Sequence, residues 1–152
     1  MKRATRKPTQ ATVLRPARAR PRRIVARILV VDDEDRILAA MKEYLESSMP
    51  GTQVLTAESG AEALDILKRG DVDLVFADYR MPVMDGLQFL RSAREVSPST
   101  ARVMITAYPD LQVAMDGLNQ AGIARFLVKP LTPKHIMQVA LEILEGRKGK
   151  LA

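Results

Sequence analysis

The stretch Ile28-Leu29-Val30-Val31-Asp32-Asp33 decides how this chain is read. Four consecutive apolar residues, mostly β-branched, suit a strand covered on both faces, and such strands belong to parallel sheets. The two aspartates end the run. Beyond them the apolar spacing becomes helical, over Ile37, Leu38, Met41, Tyr44 and Leu45. A buried strand that carries acids at its carboxyl end and passes directly into a helix opens a strand–helix–strand unit.

The pattern recurs downstream. Pro50-Gly51 stops the first helix, and Gln53–Ala57 reads as a second, shorter strand. Ser59-Gly60-Ala61-Glu62 fits a capping box for a helix bearing Ala63, Leu64 and Leu67. Leu74–Ala77 is a third strand ending at Asp78, and a helix from Asp85 through Leu87, Phe89, Leu90 and Ala93 closes before Pro98. Gly86 reads as a backbone position that needs positive φ. Val103–Ile105 is a fourth strand ending at Thr106. A helix over about 110–121 follows, with Gly117 in its interior costing about 1 kcal/mol against Ala. Phe126–Val128 is the fifth strand, and a last helix runs from about Pro133 to Leu144. Five alternations predict an α/β fold, a doubly wound parallel sheet with right-handed crossovers.

Composition agrees with one domain. The chain has 152 residues, 47% hydrophobic and 28% charged, within the ordinary globular range. A domain near this length buries roughly 68–70% of its unfolded surface. The absence of cysteine excludes disulfides, thiol catalysis, iron–sulfur clusters and Cys-based zinc sites. The single histidine, His135, excludes multi-histidine metal sites and reads as a surface residue of the last helix. No apolar run approaches the ~18–20 residues of a membrane span, so a soluble, cytoplasmic protein is expected.

The formal charge of +6 is unevenly spread. Residues 1–27 hold ten Lys or Arg and no acid, which leaves fourteen basic against eighteen acidic groups, a net of −4, in the other 125. With Pro8, Pro16 and Pro21 and little apolar surface, residues 1–26 are expected to be a disordered basic extension. An electrostatic contact of this arm with nucleic acid or another anionic surface is one reading; a solvated extension is the other.

In open parallel sheets, ligands sit beyond the carboxyl ends of the strands. Asp32, Asp33, Asp78, Thr106 and Lys129 all fall at those ends. Crowded carboxylates resist joint ionisation unless a cation is supplied, and Mg²⁺, hard and oxygen-seeking, suits them. A lysine and a hydroxyl suit the oxygens of a phosphoryl group, and a carboxylate can itself be the nucleophile.

Val31-Asp32-Asp33-Glu34, Asp78-Tyr79-Arg80-Met81-Pro82-Val83-Met84-Asp85-Gly86, Ile105-Thr106-Ala107 and Lys129-Pro130 stand on matching strands in one order. Together they resemble the response-regulator receiver domain of the CheY-like superfamily. The resemblance covers about residues 27–146, leaving 147–152 as a C-terminal tail or truncated linker. It implies the flavodoxin-like strand order 2-1-3-4-5 with five helices. It also implies that Asp78 is the phosphoacceptor, and that Asp33, Asp78 and the backbone carbonyl of Arg80 ligate Mg²⁺ (Mn²⁺ as a substitute), with Asp32 acting through water. Lys129 and Thr106 would bind phosphoryl oxygens, and Phe126 would be the aromatic switch that reorients with Thr106. The Lys129-Pro130 bond would be cis. Arg80 and Tyr108 would border the phosphoryl group and set the access of water. The donor would be a histidine kinase or phosphotransfer protein. Output would pass through the face of the fourth helix, fifth strand and fifth helix, to a partner, an output domain or a homodimer.

Three other readings compete. An aspartate-nucleophile phosphatase resembling the haloacid-dehalogenase-like enzymes would carry Asp-x-Asp after its first strand, whereas Asp32 and Asp33 are adjacent. A binding module would use the basic arm to dock under phospho-control. A degenerate receiver would serve as a fixed platform, yet every residue the switch needs is present. No turnover enzyme is expected.

Overall fold

The computed structural model describes residues 25–108, 114 and 116–151 of the chain. Five parallel strands form one sheet: β1 (Ala26–Val31), β2 (Thr52–Ala57), β3 (Leu74–Asp78), β4 (Ala101–Thr106) and β5 (Arg125–Val128). Their spatial order is 2-1-3-4-5, as the resemblance implies, and each neighbouring pair is parallel. Helices α1 (Asp35–Ser48), α2 (Gly60–Lys68), α3 (Gly86–Val96) and α5 (Pro133–Leu151) connect or follow the strands. The expected fourth helix lies partly outside the described residues. Its described end, labelled α4, is a π-helical turn over Gly117–Ala121.

The strands alternate between two cores. Ile28, Val30, Phe76, Val103 and Ile105 pack with Leu38, Met41 and Leu45 of α1 and Ile136, Val139 and Ala140 of α5. Leu29, Val31, Val75, Ala77 and Met104 pack on the other face with Ala63 and Leu67 of α2, Leu87, Phe89 and Leu90 of α3, and Ala121. Burial on both faces explains why β1 and β3 read as unbroken apolar runs rather than alternating ones.

Several local readings change. β1 begins at Ala26, and Arg27 is tied into the body: its N–H donates to Asp73 Oδ2 at 2.8 Å and its Nε to Gln53 Oε1 at 3.1 Å. Most of the basic arm lies outside the described residues. Ser59 caps α2 by accepting from Glu62 N at 3.1 Å, but the Glu62 carboxylate accepts from Glu58 N rather than Ser59 N. The reciprocal capping box is at α3, where Asp85 and Gln88 each bond the other's backbone N–H. α5 runs past Leu144 to Leu151, and Arg147 anchors the extension to the carbonyls of Asp73 and Ser99.

Gly86 is also corrected. Its φ is not positive; it is glycine because a Cβ would lie 2.5 Å from the Asp78 carbonyl oxygen and 2.8 Å from Tyr79 Cα. The positive φ in that loop belongs to Val83, at 71°. A β-branched residue in this region is strained.

Candidate functional site

β1 and β3 are neighbours, with Val31 beside Ala77 in register, so the residues at their carboxyl ends meet. Oxygens of Asp32, Asp33 and Asp78 lie within 4.8 Å of one another. Asp32 and Asp78 are buried and Asp33 is exposed, which leaves the cluster open on one side. β5 ends beside β4, and the following residue, Lys129, reaches back so that its Nζ stands 2.7 Å from Asp78 Oδ1. The Lys129-Pro130 peptide bond is cis.

The electrostatics follow from this crowding. Burial raises the Asp32 carboxyl to about 6, and the charges of Asp78 and Asp33 add to the effect. A backbone hydrogen bond from Glu34 N to Asp32 Oδ1, at 2.9 Å, works the other way, as does Lys129. For Lys129, burial opposes the cation, but its hydrogen bond to Asp78 and the charges of Asp78, Asp32 and Glu34 outweigh that and raise its pKa. Hard oxygen donors, open to solvent on one side and short of positive charge, fit a Mg²⁺ ion.

Thr106 is buried at the end of β4. Its Oγ1 accepts from Tyr108 N at 3.0 Å and lies 3.4 Å from Tyr108 O, with which it also bonds. The Arg80 guanidinium stacks over the Tyr108 ring, 4.6 Å from its centroid. These two side chains, with Asp33, Asp78, Thr106 and Lys129, line a recess of about 430 Å³. Phe126 is half-buried away from the recess, packed on the α2–α3 core and paired with Met104 across β4 and β5. His135 is exposed, in the first turn of α5, where its N–H donates to Thr132 Oγ1.

Two features escaped the sequence reading. A largely apolar cavity of about 600 Å³ lies between α1 and α5, lined by Ile37, Met41, Leu131 and Ile136 and opening beside Asp78 and Lys129. Arg102 is a buried cation inside β4. An arginine preceding Val103-Met104-Ile105 in a strand covered on both faces is the signal that could have found it.

A doubly wound parallel sheet with three carboxylates, a lysine and a threonine converging at its carboxyl edge defines the class of receiver-type α/β proteins. The chain belongs to the response regulator receiver domain family, whose model matches residues 28–141. It is similar to a CheY-like receiver domain protein of Methanospirillum hungatei, with a TM-score of 0.78 and 29% identity over 84% of this chain and 99% of that one. It is 35% identical over 122 residues to the hydrogenase transcriptional regulatory protein HoxA of Cupriavidus necator, which is 80% of this chain and 25% of HoxA. It is 38% identical, also over 122 residues, to the alginate biosynthesis transcriptional regulatory protein AlgB of Pseudomonas putida, covering 80% of this chain and 27% of AlgB. The chain thus spans about a quarter of these curated relatives. It is a response-regulator receiver of the two-component type. Among the described residues, no helix is long and apolar enough to cross a membrane.

Proposed function

We propose that this receiver accepts a phosphoryl group on Asp78 from a histidine kinase or phosphotransfer protein. The observation that carries the reading is the 2.7 Å pairing of Asp78 with Lys129 inside the three-carboxylate cluster. An Asp78 oxygen attacks phosphorus as the phosphorus–nitrogen bond of the donor's phosphohistidine breaks. The electron pair returns to the imidazole nitrogen, which takes a proton from solvent. Lys129 holds Asp78 beforehand and then pairs with a phosphoryl oxygen, while Thr106 leaves Tyr108 to bond another. Asp33, Asp78 and the Arg80 carbonyl would hold Mg²⁺, or Mn²⁺ in its place, with Asp32 acting through water. The ion, when bound, neutralises charge gathered on the oxygens. Such a domain assists its own phosphorylation and hydrolysis and is not a turnover enzyme.

Output is a population shift at the α4–β5–α5 face, where Leu118 and Val128 are exposed and Arg125 pairs with Glu142 at 2.8 Å. A bias of about 1.4 kcal/mol changes the population ratio tenfold, so a few contacts to phosphate suffice. That face is also the proposed surface for a homodimer or a downstream partner, in the cytoplasm. Two similar proteins are named as transcriptional regulators, and a third, RpfG of Xanthomonas campestris, as a cyclic di-GMP phosphodiesterase response regulator. What the chain shares with all three is reception.

Intact mass after incubation with acetyl phosphate, with and without Mg²⁺, tests the reading. A Mg²⁺-dependent gain of one phosphoryl group that disappears in Asp78→Asn is expected. A gain that persists in the variant would place the chemistry elsewhere.

A further inference from the structure

At the end of β4 opposite Thr106, Arg102 is buried, the sole arginine so buried among the described residues. Its Nε donates to the carbonyls of Ala121 and Gly122 at 2.8 and 3.2 Å, and its Nη1 donates to Thr100 O at 2.8 Å. From α3, Arg94 Nη1 donates to Gln120 O at 3.3 Å. Three consecutive carbonyls at the C-terminal end of α4 therefore receive guanidinium donors from two different elements. Gly122 closes the turn in the left-handed region, at φ 61°. Carbonyl ends of helical turns are negative and favour cations, so the contact is well matched in charge. Burial and the neighbouring cations Arg94 and Arg147 oppose the Arg102 charge, so the arrangement is held at a cost.

Placement gives this contact a second role. Alternate residues of a strand share a face, so Arg102, Met104 and Thr106 form one row beneath α3 and α4. Met104 is fully buried between the two polar ends and pairs with Phe126 of β5. One end of the row holds α4; the other holds the hydroxyl beside Asp78. In this structure Thr106 is engaged with Tyr108 while both arginines grip α4, so the two contacts coexist in one arrangement.

We infer that Arg94 and Arg102 form a clamp on the carbonyl end of α4 that holds the switch at rest and sets the equilibrium against which phosphorylation works. The inference rests on the Asp78 reading above. Both arginines are positioning residues: neither is among the residues lining the phosphoryl recess.

The full chain is compared with Arg94→Ala, Arg102→Met and the charge-keeping Arg102→Lys. Amide exchange over residues 118–124 reports the grip, and Mg²⁺-dependent binding of beryllofluoride, a phosphoryl mimic, reports the switch. Arg94→Ala, an exposed side chain, keeps the test open if Arg102→Met fails to fold. Release is expected to speed exchange and tighten beryllofluoride binding, each roughly tenfold, with Arg102→Lys in between. Faster exchange with unchanged beryllofluoride affinity would make the arginines a simple cap and overturn the inference, as would unchanged exchange. A wild-type chain that binds no beryllofluoride overturns the Asp78 reading and the inference with it. Wild-type binding matched by the variants overturns the inference alone.

Discussion

At the carboxyl edge of the sheet, Asp32, Asp33 and Asp78 bring like charges within 4.8 Å of one another, with Lys129 as their paired cation. At the opposite edge, Arg27 and Asp73 exchange backbone and carboxylate hydrogen bonds, Thr100 Oγ1 donates to Val72 O at 2.7 Å, and Arg102 and Arg147 cover further carbonyls. Both edges bury polar groups. One pairs them with backbone carbonyls; the other gathers carboxylates whose like charges stay in conflict. The same strands thus carry paired polar groups at one end and crowded carboxylates at the other.

Neutralising Asp32, whose charge is opposed first by burial and then by Asp78 and Asp33, gives the largest expected effect. The folded-state pKa of Asp32, about 6, lies above its reference value of 3.8, so the native state holds this proton more tightly than the unfolded chain. The resulting stabilisation is fully present below 3.8 and is lost as pH rises through about 6. Asp32→Asn, measured by urea unfolding with chelator present, is therefore expected to gain about 2–3 kcal/mol over wild type at pH 7.5 and little at pH 4. An equal gain at both pH values would break the comparison. At the other edge, Thr100→Val strips a donor from a buried carbonyl and is expected to cost about 2 kcal/mol in the same assay, with phosphoryl acceptance retained.

Smaller effects sharpen the picture at the recess. Tyr108→Ala removes the ring under the Arg80 guanidinium and opens the site to water. The aspartyl-phosphate lifetime is expected to shorten by a few fold, about 1 kcal/mol, read by loss of the phosphorylated mass with time. Val83→Gly relieves the left-handed strain at 71° and is expected to stabilise by about 1 kcal/mol on thermal unfolding.

The fold was legible because its information is written at strand ends. Four of the five runs end at a polar residue, aspartate after β1 and in β3, threonine in β4 and lysine after β5, and parallel pairing needs no knowledge of distant contacts to place those residues on one edge. What was not legible depended on three-dimensional neighbours. Gly86 is required by the approach of the β3 backbone, which local sequence does not encode. The length of α5 depends on Arg147 reaching the carbonyls of Asp73 and Ser99, across a sequence distance that no helical pattern reveals. Asp85-Gly86-Leu87-Gln88 did carry a readable capping box, whereas at α2 the glutamate's bond shifted by one residue to Glu58. An arginine inside β4 was a readable sign of Arg102, but its contact with the α4 carbonyls, shared with Arg94 of α3, emerges only once the turn and β4 are side by side.

Asp73 has one more consequence. It bonds Arg27 as the chain enters β1, and its carbonyl accepts from Arg147 near the far end of α5. Entry and exit are stitched to the same residue, on the pole away from Asp78. The domain is wired like a plug with both leads on its back. Chain joined at either lead therefore departs from the side away from Asp78.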